Sequence, residues 1–175
     1  MACIGVGNRG WQVVQGMQHH NIVALCDVDE KYLAQASERY PNARKYRDFR
    51  KLLDWEENNI DAVVVATPDH VHVPATVMAL KMGKHCYCEK PLAHNVTEAR
   101  LMAELAAKNK LATQMGTQIH ATDNYRRVVE MVQSGAVGPV GEVHVWLGAN
   151  FSGPPTPTGA SQPDAPTDTP PVPET

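Results

Sequence analysis

Short apolar runs alternate with helical patterns along most of this 175-residue chain, and this alternation restricts the fold more than any other feature. Strands separated by helices pair in parallel, so the pattern predicts βαβ units and a doubly wound parallel sheet in an α/β domain. The run 63–65 consists of three valines, which is typical of a strand buried on both faces. We predict strands over residues 2–6, 21–27, 43–46, 60–66, 84–88 and 111–115. We predict helices over residues 8–20, 30–40, 49–55, 74–82, 97–108 and 123–134.

The hydrophobic period changes near residue 139. Residues 140–147 alternate apolar and polar side chains, the pattern of an antiparallel strand with one wet face. Eight of the last 24 residues are proline, and we expect an extended, disordered tail because such a segment buries too little apolar surface to offset its ordering entropy. The predicted organisation is a parallel-sheet domain over 1–120, a linking helix with the first strand of a second α/β domain over 121–150, and a Pro/Thr-rich tail over 151–175.

Composition excludes several classes of partner. The net charge of −3 lies in the last 25 residues, and the rest of the chain has 16 acidic and 16 basic residues, so no basic stripe suggests nucleic acid. No apolar stretch approaches the ~20 residues of a membrane span, and no signal peptide is visible at the start. We expect the four cysteines to be buried thiols of a reducing, cytoplasmic protein. They are Cys3, Cys26, Cys86 and Cys88.

A glycine motif follows the first predicted strand and opens the first predicted helix. Gly5, Gly7 and Gly10 have the spacing G-x-G-x-x-G. In this context the first glycine allows a tight turn, the second lets backbone approach a pyrophosphate, and the third lets helix and strand pack closely. The pyrophosphate would bind amide groups at the helix amino end, where the dipole favours negative charge. The motif therefore predicts a dinucleotide site, although a glycine turn in another kind of α/β protein would look the same.

A carboxylate ends the second predicted strand. Asp27 stands 17 residues after Gly10. In dinucleotide-binding folds a carboxylate at this position accepts hydrogen bonds from the adenosine ribose, and it would repel the 2′-phosphate of NADP. We therefore expect NAD in preference to NADP. The alternative is that Asp27 or Asp29 only caps the next helix, a role for which Asp29 is the better candidate.

Thr67, Pro68 and His70 follow the clearest predicted strand. Pro68 ends that strand, so the next side chains can face the crevice at the sheet edge. A plain turn with a helix cap would account for the same residues. His70 and His72 could form a metal pair, but the sequence places no third ligand, and we expect no metal site.

Lys90 lies in the tripeptide Glu89-Lys90-Pro91, at the end of the fifth predicted strand. Open α/β sheets bind ligands at the carboxyl ends of their strands, where the glycine motif, Asp27 and residues 67–70 are also predicted. We therefore predict a functional lysine in a partly desolvated cleft, although the surface is the usual place for a lysine.

Together these segments resemble the Gfo/Idh/MocA family of oxidoreductases. The resemblance covers about residues 2–148 and implies an amino-terminal Rossmann domain that binds NAD(P), with strand order 3-2-1-4-5-6. A second α/β domain would follow, which carries the substrate and often forms a homo-oligomer interface. The matching segments are GVGNRG at 5–10, CDVD at 26–29, TPDHVH at 67–72, GKH at 83–85, EKPLAHNVTEA at 89–99 and GTQIH at 116–120.

The resemblance also implies roles for individual residues. It puts Glu89 and Lys90 at the nicotinamide and the substrate hydroxyl, with Pro91 in cis. Gln118 and His120 would lie near the nicotinamide pocket. The remaining implied cofactor contacts are Gly5, Gly7, Asn8, Arg9 and Gly10 at the pyrophosphate, Asp27 at the ribose, and Thr67, Pro68 and His70 along the cleft.

The implied reaction is hydride transfer between NAD and a sugar, cyclitol or related polyol. The hydride leaves carbon for nicotinamide C4 while a proton leaves oxygen, and Lys90 would hold that oxygen and take part in the proton transfer. A non-catalytic NAD-binding module and an NAD-dependent glycosidase, a minority activity of the same family, are the alternatives.

The chain departs from the family at both ends. It begins almost on the glycine motif, whereas some members have a secretory leader upstream. It stops where the substrate domain should start, and that domain would supply an Asp or His partner for Lys90. We therefore expect a truncated form, which holds NAD weakly and lacks most of the substrate pocket.

Overall fold

The computed structural model describes residues 1–118, 120 and 122–144 of the chain. Its parallel sheet has six strands in the order β3-β2-β1-β4-β5-β6. The strands are β1 Ala2–Ile4, β2 Ala24–Cys26, β3 Arg44–Tyr46, β4 Ala62–Val65, β5 His85–Glu89 and β6 Thr113–Gly116. The α-helices within the described residues are α1 Arg9–Gly16, α2 Glu30–Arg39, α3 Phe49–Glu56, α4 Asp69–Lys81, α5 Val96–Lys108 and α6 Asp123–Gln133. The predicted Rossmann-type α/β fold and its strand order are confirmed.

Both faces of the sheet are buried, as the valine run predicts. Val63 and Val65 pack into one core with α3, α4 and α5, whereas Val64 packs into a second core with α1 and α2. Successive strand residues point to opposite faces, so a strand buried on both must be apolar at every position. Each fully buried valine contributes about 1.5–3 kcal/mol relative to an exposed one. The two cores hold the six strands in register, and the carboxyl ends of the strands meet at one edge.

Helices α2, α3 and α5 begin at side-chain caps. The carboxylate of Asp29 accepts a hydrogen bond from the Lys31 amide at 2.8 Å, and that of Asp48 accepts one from the Arg50 amide at 3.0 Å. Asn95 caps α5 in the same way. The prediction that Asp29 rather than Asp27 is the cap of α2 is therefore confirmed.

Two predicted helix boundaries are wrong. The first helix ends at Gly16 rather than at residue 20, because glycine has low helix propensity and the backbone turns at Met17. The fourth helix begins at Asp69 rather than near Pro74. Proline is common at the first position of a helix, which made Pro74 look like a start. In the structure Pro68 takes that boundary position, Asp69 lies in the first turn where the dipole favours it, and Pro74 lies inside α4.

The predicted buried thiols are confirmed, since all four cysteines are buried and free. Burial raises the pKa of Cys3, Cys26 and Cys86 to about 12 and that of Cys88 to about 11. A thiol with so high a pKa carries almost no thiolate at neutral pH, so these residues pack rather than react. Within the described residues, no helix has the length and apolar character needed to cross a membrane.

The chain divides into two compact units, residues 1–130 and a second unit from residue 131, which is described as far as residue 144. Residues 140–144, the first part of the strand predicted over 140–147, do not form a strand. A strand requires a hydrogen-bonded neighbour, and none pairs with these residues within the described chain. Residues 145–147 and the predicted Pro/Thr-rich tail lie outside the described residues.

One buried carboxylate ties the sheet edge to α3. The side chain of Glu56 is 1% exposed and accepts hydrogen bonds from Tyr46, Arg44 and Asn59. Burial acts to raise the pKa of Glu56, but these three donors outweigh it and hold the pKa below its ordinary value of 4.5. The ionised form is therefore the one that the fold stabilises.

Replacing Glu56 with glutamine should lower the free energy of unfolding by about 1–3 kcal/mol near pH 7, because the donors lose a charged acceptor. The Glu56 pKa is lowered on folding, so its contribution is present above the ordinary pKa and is lost as the pH falls through the folded value. Urea unfolding of Glu56→Gln and of the unchanged protein should therefore converge in acid. Glu57→Gln, at an exposed neighbour, is the control; an equal loss in both variants would contradict the role of Glu56.

Candidate functional site

An open cavity of about 660 Å³ lies at the carboxyl edge of the sheet, where β1, β2, β3 and β4 end. Small-molecule sites commonly have volumes of roughly 300–1,000 Å³, so this one has the size of a ligand pocket. It lies in the crevice where open α/β sheets bind ligands. Eight of the sequence-predicted site residues line it: Gly5, Gly7, Asn8, Arg9, Asp27, Thr67, Pro68 and His70.

The glycine turn is fixed by backbone contacts that leave no room for side chains. Gly5 has a φ of +81°, and a Cβ there would lie 2.5 Å from the carbonyl oxygen of Ala66. A Cβ on Gly10 would lie 2.2 Å from the carbonyl oxygen of Gly5. Gly10 is buried and packs beneath the turn rather than lining the cavity. This contact brings the first turn of α1 to the cavity.

The amino end of α1 has no side-chain cap, in contrast to α2, α3 and α5. Its N-cap residue, Asn8, has a φ of 47° and instead accepts a hydrogen bond from the Tyr32 hydroxyl at 3.2 Å. The ring of Tyr32 covers Gly7, since a Cβ on Gly7 would lie 2.3 Å from it. The absence of a side chain at Gly7 thus leaves room for the Tyr32 ring. The uncapped amides at the start of α1 can attract an anionic group.

The Asp27 carboxylate faces the glycine turn. Its Oδ2 accepts from the amides of Val6 at 2.9 Å and Gly7 at 3.2 Å, and its Oδ1 accepts from the Asp29 amide at 3.0 Å. Each carboxylate oxygen has two acceptor positions, so Oδ2 is fully used by the two amides and Oδ1 retains capacity for a ligand hydroxyl. No ion pair involves Asp27 within the described part of the chain.

A second polar cluster connects the glycine turn to β5. The Arg9 guanidinium donates to Glu89 Oε1 from Nε at 3.1 Å and from Nη2 at 2.8 Å, and the Tyr87 hydroxyl donates to the same oxygen at 3.0 Å. The Gln118 amide oxygen accepts from Arg9 at 3.1 and 3.2 Å when it faces the guanidinium. A Cβ on Gly116 would lie 2.6 Å from Glu89 Oε1, so a larger residue here would displace the Glu89 side chain.

The charge state of Glu89 is set by this cluster. Its side chain is 4% exposed, and burial alone would raise its pKa. The hydrogen bonds from Arg9 and Tyr87 outweigh burial and hold the pKa of Glu89 below its ordinary value. In return the hydrogen bond to Glu89 raises the pKa of Arg9. The second carboxylate oxygen, Oε2, is buried and has no hydrogen-bond partner among the described residues.

Lys90 differs from its prediction in one respect. It follows β5 directly, and the Lys90–Pro91 bond is cis, as predicted. Its side chain is exposed rather than partly desolvated, and it does not line the cavity. Glu89 turns inward to Arg9, whereas Lys90 lies just beyond the last residue of β5. The structure therefore brings the glycine turn, Asp27 and residues 67–70 together and leaves Glu89, Lys90 and Gln118 to one side.

His72 joins the two strand-end segments. It is 1% exposed, and its ring nitrogens lie 2.8 Å from the carbonyl oxygen of Thr67 and 2.6 Å from that of Pro91. Both nitrogens are therefore occupied by backbone. His70, by contrast, lines the cavity. Within the described residues, no group of three or more His, Cys, Asp or Glu side chains is arranged to hold a metal ion.

Comparison with known proteins assigns this arrangement to a family. A family model described as an oxidoreductase family with an NAD-binding Rossmann fold matches residues 1–117. The chain belongs to the Gfo/Idh/MocA oxidoreductase family.

Curated members of this family are similar at moderate identity. The myo-inositol 2-dehydrogenase of Thermotoga maritima is 29% identical over 117 residues, which are 67% of this chain and 34% of the relative. The glycosyl hydrolase family 109 protein 1 of Shewanella sp. MR-4 is 28% identical over 147 residues, 77% of this chain and 32% of that protein. The chain thus spans about a third of the length of these relatives.

A solved member of the family has the same fold. The crystal structure of myo-inositol 2-dehydrogenase from Lactobacillus plantarum superposes with a TM-score of 0.73 at 27% identity. The match covers 79% of this chain and 42% of that chain. The chain is thus similar to two inositol dehydrogenases and to a protein named as a glycosyl hydrolase, and the solved inositol dehydrogenase shares the fold described above.

Several cavity residues of this family member were not predicted. Tyr32 reaches the glycine turn from α2, and residues 47–50 follow β3 at the same edge. The rule that ligands bind at the carboxyl ends of parallel strands, applied to the third strand as it was to the others, would have indicated Arg47 and Arg50. Tyr32 gives no comparable signal, because an aromatic residue on an amphipathic helix is usually part of the core.

Replacing Gly10 with alanine should lower the free energy of unfolding by about 2–3 kcal/mol, because the new methyl group would meet the fixed backbone of Gly5. Gly16, in the same helix, is the matched control, since a Cβ there meets nothing within 4 Å. Gly16→Ala should gain about 0.5–1 kcal/mol. Denaturant unfolding of the two variants checks this; a Gly10→Ala protein as stable as Gly16→Ala would contradict the proposed contact.

Proposed function

We propose that this chain forms the NAD-binding part of an oxidoreductase that transfers hydride between nicotinamide and a hydroxyl of a sugar, cyclitol or related polyol. The observation that carries the proposal is the open cavity between the uncapped start of α1 and the Asp27 carboxylate. Since the chain spans a third of its relatives, the activity, substrate and partners of the whole protein are part of the proposal.

The residues present fit a dinucleotide. The first-turn amides of α1 are available for the pyrophosphate, and Asp27 Oδ1 retains acceptor capacity for a ribose hydroxyl. Val28 is 77% exposed and lines the cavity beside Asp27, which provides an apolar surface for a purine ring. When bound, the nicotinamide accepts or donates the hydride.

Lys90 and the polar cluster around Arg9 are proposed to act at the nicotinamide end of the cofactor. The Arg9–Glu89 pair fixes the glycine turn against β5, and Lys90 extends into solvent from the next position. An ammonium group can donate a hydrogen bond to the substrate hydroxyl and stabilise the oxygen as its proton leaves. We assign this role to Lys90. Gln118, against Arg9, borders the same cluster.

Cellular context is part of the same proposal. Four buried, free cysteines suit a reducing compartment, and we propose a cytoplasmic protein. A homo-oligomer is proposed for the complete protein.

The relative named glycosyl hydrolase family 109 protein 1 supports an NAD-dependent glycosidase as a second candidate, because its match extends over 147 residues. Release of a sugar without net NADH formation would favour that candidate.

Lys90→Ala should leave NADH affinity within a few-fold of the unchanged protein, because Lys90 does not line the cavity. In the complete enzyme it should reduce inositol-dependent or glucose-dependent reduction of NAD by ~100-fold or more. Fluorescence titration with NADH and absorbance of the NADH formed measure the two effects. NADH binding without turnover in the complete enzyme would favour the non-catalytic module; turnover that survives Lys90→Ala would exclude Lys90 from the chemistry.

Asp27→Ala should weaken NADH binding by ~10-fold and shift the ratio of dissociation constants toward NADPH, because the ribose loses an acceptor and a 2′-phosphate loses a repelling charge. The matched variant Asp27→Asn retains an acceptor for the Val6 and Gly7 amides, removes the charge and replaces Oδ1 with an amide NH2 group. It should relax the rejection of NADPH with a smaller loss of NADH. An unchanged NADH-to-NADPH ratio in both variants would remove Asp27 from the ribose.

A further inference from the structure

Two arginines line the cavity on the Asp27 side. Arg47 and Arg50 follow β3, which pairs with the strand that Asp27 follows. A guanidinium is the side chain best suited to bind a phosphate monoester, because its fork matches the phosphate oxygens. A cavity with two such groups near the ribose end would ordinarily favour NADP. Asp27 alone would then have to oppose two cations.

Both guanidinium groups are already engaged by carboxylates. Arg50 donates to Asp48 Oδ1 from Nε at 2.9 Å and to Oδ2 from Nη2 at 2.7 Å, which is the two-point geometry that a phosphate would need. Arg47 donates to Glu30 at 2.8 Å and to the Val28 carbonyl oxygen at 3.4 Å. The hydrogen bonds from Arg50 lower the pKa of Asp48 to about 2, so Asp48 stays ionised through the physiological range.

The two arginines are similarly exposed, Arg50 at 69%, and the two pairs differ in how firmly the carboxylate is held. Arg47 and Glu30 are 65% and 74% exposed and meet at one point, so their pairing is weak and screened by salt. Asp48 is 29% exposed and is fixed at the start of α3, where its Oδ1 also accepts from the Arg50 amide. The Asp48 carboxylate is therefore fixed by the Arg50 amide and holds the Arg50 side chain of the same helix.

We propose that Asp48 is a second determinant of cofactor selectivity, because it occupies the Arg50 guanidinium and withholds from the adenosine 2′-position the cation that NADP would use. This inference rests on the proposed function, namely that a dinucleotide binds in the cavity. Asp27 repels the 2′-phosphate, whereas Asp48 occupies the Arg50 guanidinium that would otherwise bind this phosphate. The two carboxylates reject NADP by different means.

The test measures dissociation constants of NADH and NADPH for Asp48→Asn by fluorescence titration of the full 175-residue chain at low salt. Asparagine retains the capping oxygen for the Arg50 amide, so the start of α3 is preserved. The NADPH dissociation constant should fall ~10-fold, because Arg50 becomes available, while that for NADH changes by less than about threefold. Asp48→Ser, which also caps, provides a second variant whose thermal unfolding is checked in parallel.

Two further variants separate the mechanism from a general change of charge. Asp54→Asn removes the same charge from an exposed position of α3 that does not line the cavity, and it should leave both constants unchanged. Asp48→Asn combined with Arg50→Gln should return NADPH affinity to that of the unchanged protein. Comparison of the single and double variants thus shows whether the gain in NADPH affinity depends on Arg50.

The outcomes are distinct. An NADPH constant that does not change in folded Asp48→Asn or Asp48→Ser, a gain that Asp54→Asn reproduces, or a gain that persists without Arg50 would each overturn the inference while NADH binding still supports the proposed function. If neither nucleotide binds the unchanged chain, the proposed function itself fails, and the role of Asp48 fails with it.

Discussion

The contact between the first turn of α1 and the end of β1 is the constraint on which the site depends. Gly10 lies so close to the Gly5 carbonyl that no side chain fits between them, and Gly5 lies equally close to the backbone of Ala66 at the end of β4. These two contacts join the central strands of the sheet to the start of one helix. Because the helix start cannot move away, its uncapped amides face the crevice where the strands separate.

The second structural element of the site is the ion pair that joins this turn to β5. Arg9 stands in the glycine motif, and Glu89 lies 80 residues later at the end of a strand that does not neighbour β1. A carboxylate this deeply buried requires a partner, and removing either member would leave an uncompensated charge. Tyr87 and Gly116 shape the space around Glu89. The conformation of the glycine turn is thus coupled to the segment that carries Lys90.

The sequence predicted the sheet and eight of the residues that line the cavity, because the patterns that carry them are local. The valine run, the glycine spacing and the capping Asp29 are determined by neighbours in sequence, and the structure confirms the elements predicted from them. The exposure of Lys90 and the pairing of Arg50 with Asp48 depend on side-chain direction at the end of an element, which hydrophobic periodicity does not report. The helix predicted to start at Pro74 begins five residues earlier, at Asp69, and Pro74 lies inside it.

The distribution of charge at the sheet edge gives the site a direction. Arg9, Arg47 and Arg50 are each paired with a carboxylate, so they add little net field. Within the described part of the chain, neither Asp27 nor Lys90 takes part in an ion pair, and these two groups retain their charge toward solvent and cavity. A negative group suits the hydroxyl donors of a ribose, and a positive group suits an oxygen that is losing its proton. The polarity of the edge therefore matches the proposed order of cofactor and substrate, with the adenosine at the Asp27 end and the reacting hydroxyl at the Lys90 end.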